Sequence, residues 1–288
     1  FPAIMARIHR IIAAIEPHDS VERYTGLGVE VLQGYARIVD PWTVDIALNN
    51  GGTQRLTTRS IVIAAGAAPL LVCVGRQARL TGYGLEELGI PTNRTVTTND
   101  YLETLYPNIY AAGDVAGPYQ FTHTAAHMAW YAAVNALFGQ FKRFKVDYSV
   151  IPWTTFIDPE VARVGLSEQE AIDRGIPHEV TRFELAELDR AIADSATRGF
   201  VKVLTVPGRD RILGATIVGT QGGDLLAEFV LAMRHGLGLN KILGTIHTYP
   251  TLAEANKYAA GAWKKAHAPE RILRWLQRYH QWRRGGTD

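Results

Sequence analysis

Apolar side chains at Ile4, Ile8, Ile11, Ile12 and Ile15 recur at helical spacing, so residues 3–16 predict a helix. A break over residues 17–20 leads into a short polar helix closed by Gly26 and Gly28. From Val29 the period shortens. Residues 29–32, 35–39 and 43–48 predict strands, and Asn49-Asn50-Gly51-Gly52 reads as a hairpin turn. Residues 60–66 and 70–76 are continuous apolar runs, the pattern of strands buried on both faces of a parallel sheet. The second begins immediately after Pro69. Parallel neighbours need a crossover of about a dozen residues, so either a segment is absent between Pro69 and Leu70 or the runs are not sheet neighbours. A third run, 108–114, precedes a helix over about 121–138. The character then changes: strands at 152–157, 178–185, 199–206 and 211–219 alternate with helices at 167–174, 222–236 and 238–244. A final helical region covers 251–282.

A chain of 288 residues at roughly 100–200 per domain makes two domains, and the change of character puts them at 1–150 and 151–288. With 47% apolar and 20% charged residues a packed core is available, which excludes global disorder. The net charge of +2 excludes a nucleic-acid binder that relies on overall charge. The single cysteine, Cys73, cannot make an internal disulfide or a cysteine-rich zinc site; flanked by Val72 and Val74, it reads as a buried structural thiol. No apolar run approaches the roughly 20 residues that span a bilayer, and the start has no signal-peptide pattern, so a cytoplasmic protein is expected. Phe1-Pro2-Ala3-Ile4 lacks Met, which predicts a piece of something longer.

Four segments, in this order, carry a resemblance. They are Ile61-Val62-Ile63-Ala64-Ala65-Gly66-Ala67-Ala68-Pro69, Leu71-Val72-Cys73-Val74-Gly75-Arg76, Ile109-Tyr110-Ala111-Ala112-Gly113-Asp114 and Phe156-Ile157-Asp158-Pro159-Glu160-Val161-Ala162-Arg163-Val164-Gly165. Together they resemble the FAD-dependent pyridine nucleotide–disulfide oxidoreductases, the family of dihydrolipoamide dehydrogenase, glutathione reductase and mercuric reductase. The resemblance implies an α/β fold, with a partial doubly wound FAD-binding domain followed by an α+β dimerisation (interface) domain. It implies that an NAD(P)H-binding domain is missing between residues 69 and 70. No Gly-x-Gly-x-x-Gly fingerprint occurs anywhere, and the family's redox cysteine pair has no counterpart. The implied parent is a homodimer that moves a hydride from NAD(P)H through FAD to a disulfide, a metal ion or another small oxidant. The contrasting reading is a non-catalytic remnant that only dimerises or scaffolds.

Asp114 follows Gly113 at the end of an apolar strand, where open α/β sheets bind ligands; it is also a common turn or N-cap position. The resemblance makes it an acceptor for the flavin's ribityl chain. A helix opening at Phe121-Thr122-His123 would aim free N–H groups at the same crevice, and Thr122 takes the family's flavin-contact position or simply caps the helix. The resemblance also puts Ala36 against adenine and Ala65, Gly66 and Gly75 beside the cofactor. His123 and His127 have i, i+4 spacing but no third ligand, so no metal is expected.

In Thr245-Ile246-His247-Thr248-Tyr249-Pro250-Thr251-Leu252-Ala253-Glu254, the resemblance implies a catalytic residue before the proline, where two branches of the family carry a histidine. Here it is Tyr249, as in the mercuric reductase branch. A tyrosine with pKa about 10 suits hydrogen-bond donation or contact with a metal-thiolate better than the proton exchange a histidine near 6.5 performs. His247, two residues earlier, would point the same way in an extended segment and either partly replace the imidazole or be a hydrogen-bonded structural residue. Glu254 either orients the site or closes a capping box with Thr251. The vicinal C-terminal cysteines of mercuric reductase are absent. Residues 257–288 carry eight Lys/Arg, and Ile272, Leu273, Trp275, Leu276, Tyr279 and Trp282 form one stripe. That pattern is expected to be a terminal helix packed on the interface domain, with its cations solvated, rather than a membrane-surface helix.

Overall fold

A computed structural model describes residues 2–18, 20–65, 67–69 and 76–284. The chain forms two compact units, Phe1–Val146 and Asp147–Asp288.

The first unit begins with helices α1 (Pro2–Ile15) and α2 (Val21–Gly26), the latter capped by the Ser20 hydroxyl accepting from the Arg23 N–H. The expected strand at 29–32 does not form. Gly28 takes φ +83° and the Val29 N–H returns to the Tyr24 carbonyl, so this stretch closes α2 instead. Strands β1 (Gly34–Asp40), β2 (Thr43–Leu48) and β3 (Thr53–Thr57) form an antiparallel meander, with Ala36 opposite Ile46. The hairpin turn at 49–52 joins β2 to β3.

Strand β4 (Ile61–Ile63) pairs in parallel with β9 (Ile109–Ala111), Ile63 beside Ala111. Between them in sequence lie the antiparallel pairs β5 (Ala67–Pro69) with β6 (Arg76–Ala78) and β7 (Thr92–Asn93) with β8 (Thr95–Val96). Among the described residues the partner of the first apolar run is β9. Residues 70–75, Cys73 among them, and the join at Pro69–Leu70 lie outside the described residues. Burial on both faces of the first run is not met either: Ile63 is buried but Val62 is exposed. Helix α3 (Thr122–Phe138) follows β9 through a single 3-10 turn at Gly113–Val115. Asn135, buried in α3, donates to the Tyr101 and Phe144 carbonyls and accepts from the Phe144 N–H, which ties the end of the helix to its surroundings.

The second unit is a five-stranded antiparallel sheet in the order β10 (Pro152–Thr155), β11 (Glu160–Gly165), β14 (Ile212–Gly219), β13 (Phe200–Thr205), β12 (Glu179–Glu184). Strand β11 was not foreseen. Helices α4 (Glu168–Asp173), α5 (Asp189–Ala193), α6 (Gly222–Leu225), α7 (Ala227–Arg234), α8 (Leu239–Leu243) and α9 (Glu254–Ala266) accompany the sheet. The core joins Ala162, Val164, Val201, Val203, Ala215 and Ile217 of the sheet to Leu226, Phe229, Ala255 and Trp263 of the helices. Helix α10 (Glu270–Arg284) ends the described chain and has no buried residue, so the packing expected for the terminal helix is absent.

Candidate active site

In the first unit the parallel pair sets the geometry. The Ala112 N–H donates to the Ile63 carbonyl at 3.0 Å, which brings the carboxyl ends of β4 and β9 side by side. Ala64 and Ala65 continue from one end, Gly113 and Asp114 from the other, which is where open α/β sheets hold ligands. Gly113 has φ +78°, and a Cβ there would lie 3.2 Å from the Ala125 Cβ. Its turn is thereby pressed against the first turn of α3. Thr122 is the first residue of that helix, after Phe121, so it is not the N-cap; Thr124 instead accepts from the Phe121 N–H and donates to the Phe121 carbonyl.

A cleft of about 480 Å³ opens beside this edge, walled by Gly34, Ala36, Ala64 and Ala65 over an apolar floor of Ile38, Val44, Ile61 and Ile63. Ala36 and Ala65, 29 positions apart in the sequence, thus share one wall. Two lining residues escaped sequence reasoning. The Arg79 guanidinium lies 5.5 Å from the centre of the Tyr35 ring, while the Tyr35 hydroxyl donates to the Gly82 carbonyl. Tyr83 also lines the cleft; its hydroxyl donates to the Arg79 carbonyl, and burial pushes its pKa up. Gly66 and Gly75 lie outside the described residues.

In the second unit the segment before α9 splits its candidates. The His247 side chain is only 7% exposed, its Nε2 lies 2.9 Å from Glu228 Oε1, and its Nδ1 lies 3.0 Å from the Thr245 carbonyl. Asn256 donates to the other Glu228 oxygen at 3.0 Å and to the Leu225 carbonyl at 2.9 Å. Tyr249, by contrast, is 64% exposed, and its hydroxyl donates to Asp189 Oδ2 at 3.1 Å. The two side chains do not point the same way, because residues 246–250 are not a pleated strand and the alternation rule does not apply. The hydrogen bond to Asp189, and then that carboxylate's charge, hold the Tyr249 pKa above the ordinary tyrosine value. Glu254 is buried and accepts from the Thr251 N–H at 3.2 Å. This is half of the expected capping box; the Thr251 hydroxyl donates to the Thr248 carbonyl instead.

Replacing Asp189 by Asn removes the charge that helps raise the phenol's pKa. The Tyr249 pKa is expected to fall toward about 10, read as phenolate absorbance in a pH titration with the Tyr249→Phe variant subtracted. An unchanged midpoint would show that the carboxylate does not govern this phenol.

Among the described residues no cluster of three His, Cys, Asp or Glu could hold a metal, and no helix is long and apolar enough to cross a membrane.

Residues 151–260 match the model of the pyridine nucleotide-disulphide oxidoreductase dimerisation domain, and residues 68–129 match a further model described as pyridine nucleotide-disulphide oxidoreductase. The mitochondrial dihydrolipoyl dehydrogenase of Bos taurus is 34% identical over 251 residues, covering 81% of this chain and 48% of its own length. The mercuric reductase of Streptomyces lividans is 36% identical over 196 residues, covering 67% of this chain and 41% of its own. Among solved structures, LpdA from Mycobacterium tuberculosis shares the fold with a TM-score of 0.59 at 23% identity, covering 83% of this chain and 50% of that one. The Cu(II) complex of the HOCl-induced flavoprotein disulfide reductase RclA from Escherichia coli gives 0.58 at 25% identity, covering 77% and 49%. This chain belongs to the pyridine nucleotide-disulphide oxidoreductase family. It spans about half the length, or less, of the relatives it matches.

Proposed function

We propose that this chain is part of a homodimeric flavoenzyme that passes reducing equivalents from NAD(P)H through FAD to a small oxidant, a disulfide or a metal ion. Residues 1–150 contribute part of the FAD domain and 151–288 the dimer interface, and the protein works in the cytoplasm. The observation that carries this reading is the convergence of Ala64–Ala65, Gly113–Asp114 and the start of α3 at the carboxyl ends of β4 and β9, with Ala36 on the same wall as Ala65.

The residues fit the cofactor. The small side chains of Ala36, Ala64 and Ala65 would let a flat ring approach the backbone, and Ile38, Val44, Ile61 and Ile63 would shelter its apolar face. Asp114 would accept hydrogen bonds from the ribityl hydroxyls, and the amides that open α3 would favour negative charge on a ring held there. FAD, when bound, supplies the hydride-accepting centre. The phosphate loop that a Gly-x-Gly-x-x-Gly sequence provides is not written in these residues, so the 288-residue chain alone is expected not to turn over.

In the second unit Tyr249 is the residue offered to the oxidant. As a phenol it stays protonated at neutral pH, and the hydrogen bond to Asp189 moves its pKa further up, so it does not cycle a proton there. His247 stays fixed between Glu228 and the Thr245 carbonyl and acts as a support.

The encoded full-length protein should purify yellow and bleach on addition of NADH or NADPH. Tyr249→Phe should lower kcat at least tenfold with flavin content unchanged and without adding an inflection to the pH profile near neutrality. A colourless dimer would overturn the enzyme reading in favour of a scaffold, and full activity in Tyr249→Phe would remove the role given to the phenol.

A further inference from the structure

Helix α10 reads Glu-Arg-Ile-Leu-Arg-Trp-Leu-Gln-Arg-Tyr-His-Gln-Trp-Arg-Arg, five arginines against one glutamate. At 100° per residue, Ile272, Leu273, Trp275, Leu276, Tyr279 and Trp282 fall within one half of its circumference. Arg271, Arg274, Arg278 and Arg284 fall in the other half with Gln277 and Gln281; Arg283 and His280 are the polar intrusions on the apolar side. Among the described residues only Leu276 of this apolar half is partly covered. Trp275 is 62% and Trp282 75% exposed, Ile272, Leu273 and Tyr279 are exposed too, and the helix buries no residue. Trp275 and Tyr279 stack at 5.7 Å, a flat aromatic flank beside the arginines.

An occupant of this face must bury a strip of aliphatic and aromatic side chains and also neutralise a row of guanidinium groups on both flanks of that strip. A second copy fails the latter requirement, since apposing two such helices face to face brings arginine flanks against arginine flanks. A lipid surface meets both. Tryptophan and tyrosine settle at the headgroup level, aliphatic side chains enter the acyl boundary, and arginine forks match phosphate oxygens. A helix that is polar on the whole, yet keeps its charges and its apolar side chains on opposite faces, lies in an interface rather than crossing it. At about 1.5 Å per residue the helix is roughly 22 Å long, enough to lie flat along the headgroups and too polar to span them.

We propose that α10 is an anchor for an anionic membrane surface. It rests on the interfacial plane, with Leu273, Trp275, Leu276 and Trp282 inserted and the arginines engaging lipid phosphates. Negatively charged lipid of the kind found on cytoplasmic leaflets is the chemistry that recognises it.

The test uses the full-length protein and sedimentation with phosphatidylcholine vesicles, with and without phosphatidylglycerol. Binding is expected only when phosphatidylglycerol is present, and it should fall as salt is raised. Arg274→Gln with Arg278→Gln should weaken partition about fivefold per charge, some 25-fold together. Trp275→Ser with Trp282→Ser should abolish it. Both pairs replace exposed side chains, so circular dichroism should be unchanged and loss of binding cannot be laid to misfolding. The proposal is overturned by equal binding to neutral vesicles, by no binding to either, or by variants that sediment like the parent. A drop in oligomeric mass in the tryptophan variant, by light scattering, would assign the face to a second copy and overturn it too.

Discussion

Replacing Phe229 by Ala is expected to destabilise the second unit by about 3–5 kcal/mol. Phe229 is fully buried and projects from α7 into the cluster that includes Ile217, Leu226 and Trp263. The size of the effect depends on whether neighbours can collapse into the space, and here they cannot. Strand β14 beneath the helix is laddered on one side to β11 and on the other to β13, so its backbone cannot move inward without breaking hydrogen bonds. The lost apolar transfer and the residual cavity therefore add. Urea denaturation of the chain, followed by far-UV circular dichroism, should show the second unit's midpoint lowered with its slope unchanged. A loss under about 1 kcal/mol would mean that the helix is not seated on the sheet as described.

Replacing Gly113 by Val is expected to have the largest effect in the first unit, and on function. Two costs combine. A β-branched residue at φ +78° is strained by about 1–3 kcal/mol. The new side chain must also enter a space where even a Cβ would lie 3.2 Å from Ala125, which pushes the start of α3 away from the strand ends. In the full-length protein the variant should lose bound flavin during purification, while the dimer persists through the second unit. Gly113→Ala carries the same backbone strain with less crowding. Adding Ala125→Gly to it should recover the crowding part alone, measured as flavin-to-protein ratio. If Gly113→Val retained a full complement of flavin, the turn at Gly113 would have no part in holding the cofactor.

How far the fold could be read from the residues depended on local period. Strands β12, β13 and β14 form within a residue or two of the expected positions, β13 and β14 as short β-branched, largely apolar runs that supply Val201, Val203, Ala215 and Ile217 to the core. Strand β11 was hidden because Pro159 and Gly165 bracket it and read as loop punctuation. Strand β3, Thr-Gln-Arg-Leu-Thr, has one large apolar residue and announces itself only through its hydrogen bonds to β2. Residues 29–32 have the opposite fault: Val-Glu-Val-Leu alternates well, yet the closing turn of α2 claims the Val29 amide first. The position of Gly113 and Asp114, just past the end of an apolar strand, was legible from the run that precedes them. Asp189, 60 positions before Tyr249, and Glu228, 19 before His247, were not. No periodicity relates residues that meet only after the sheet has folded, and Arg79 beside the cleft belongs to the same class.

The two units also differ in how firmly their ladders are knit, and this sets the order in which the chain comes apart. The pair β4–β9 joins three residues to three, with one flank of β4 facing no strand among the described residues. In the second unit β13 and β14 are paired along both edges over a closed core. Sub-global opening is therefore expected to start at β4 and β9 and to leave the five-stranded body intact. If the proposed function holds, a chain stripped of its flavin would be half open, folded through the five-stranded body and frayed at the ends of β4 and β9.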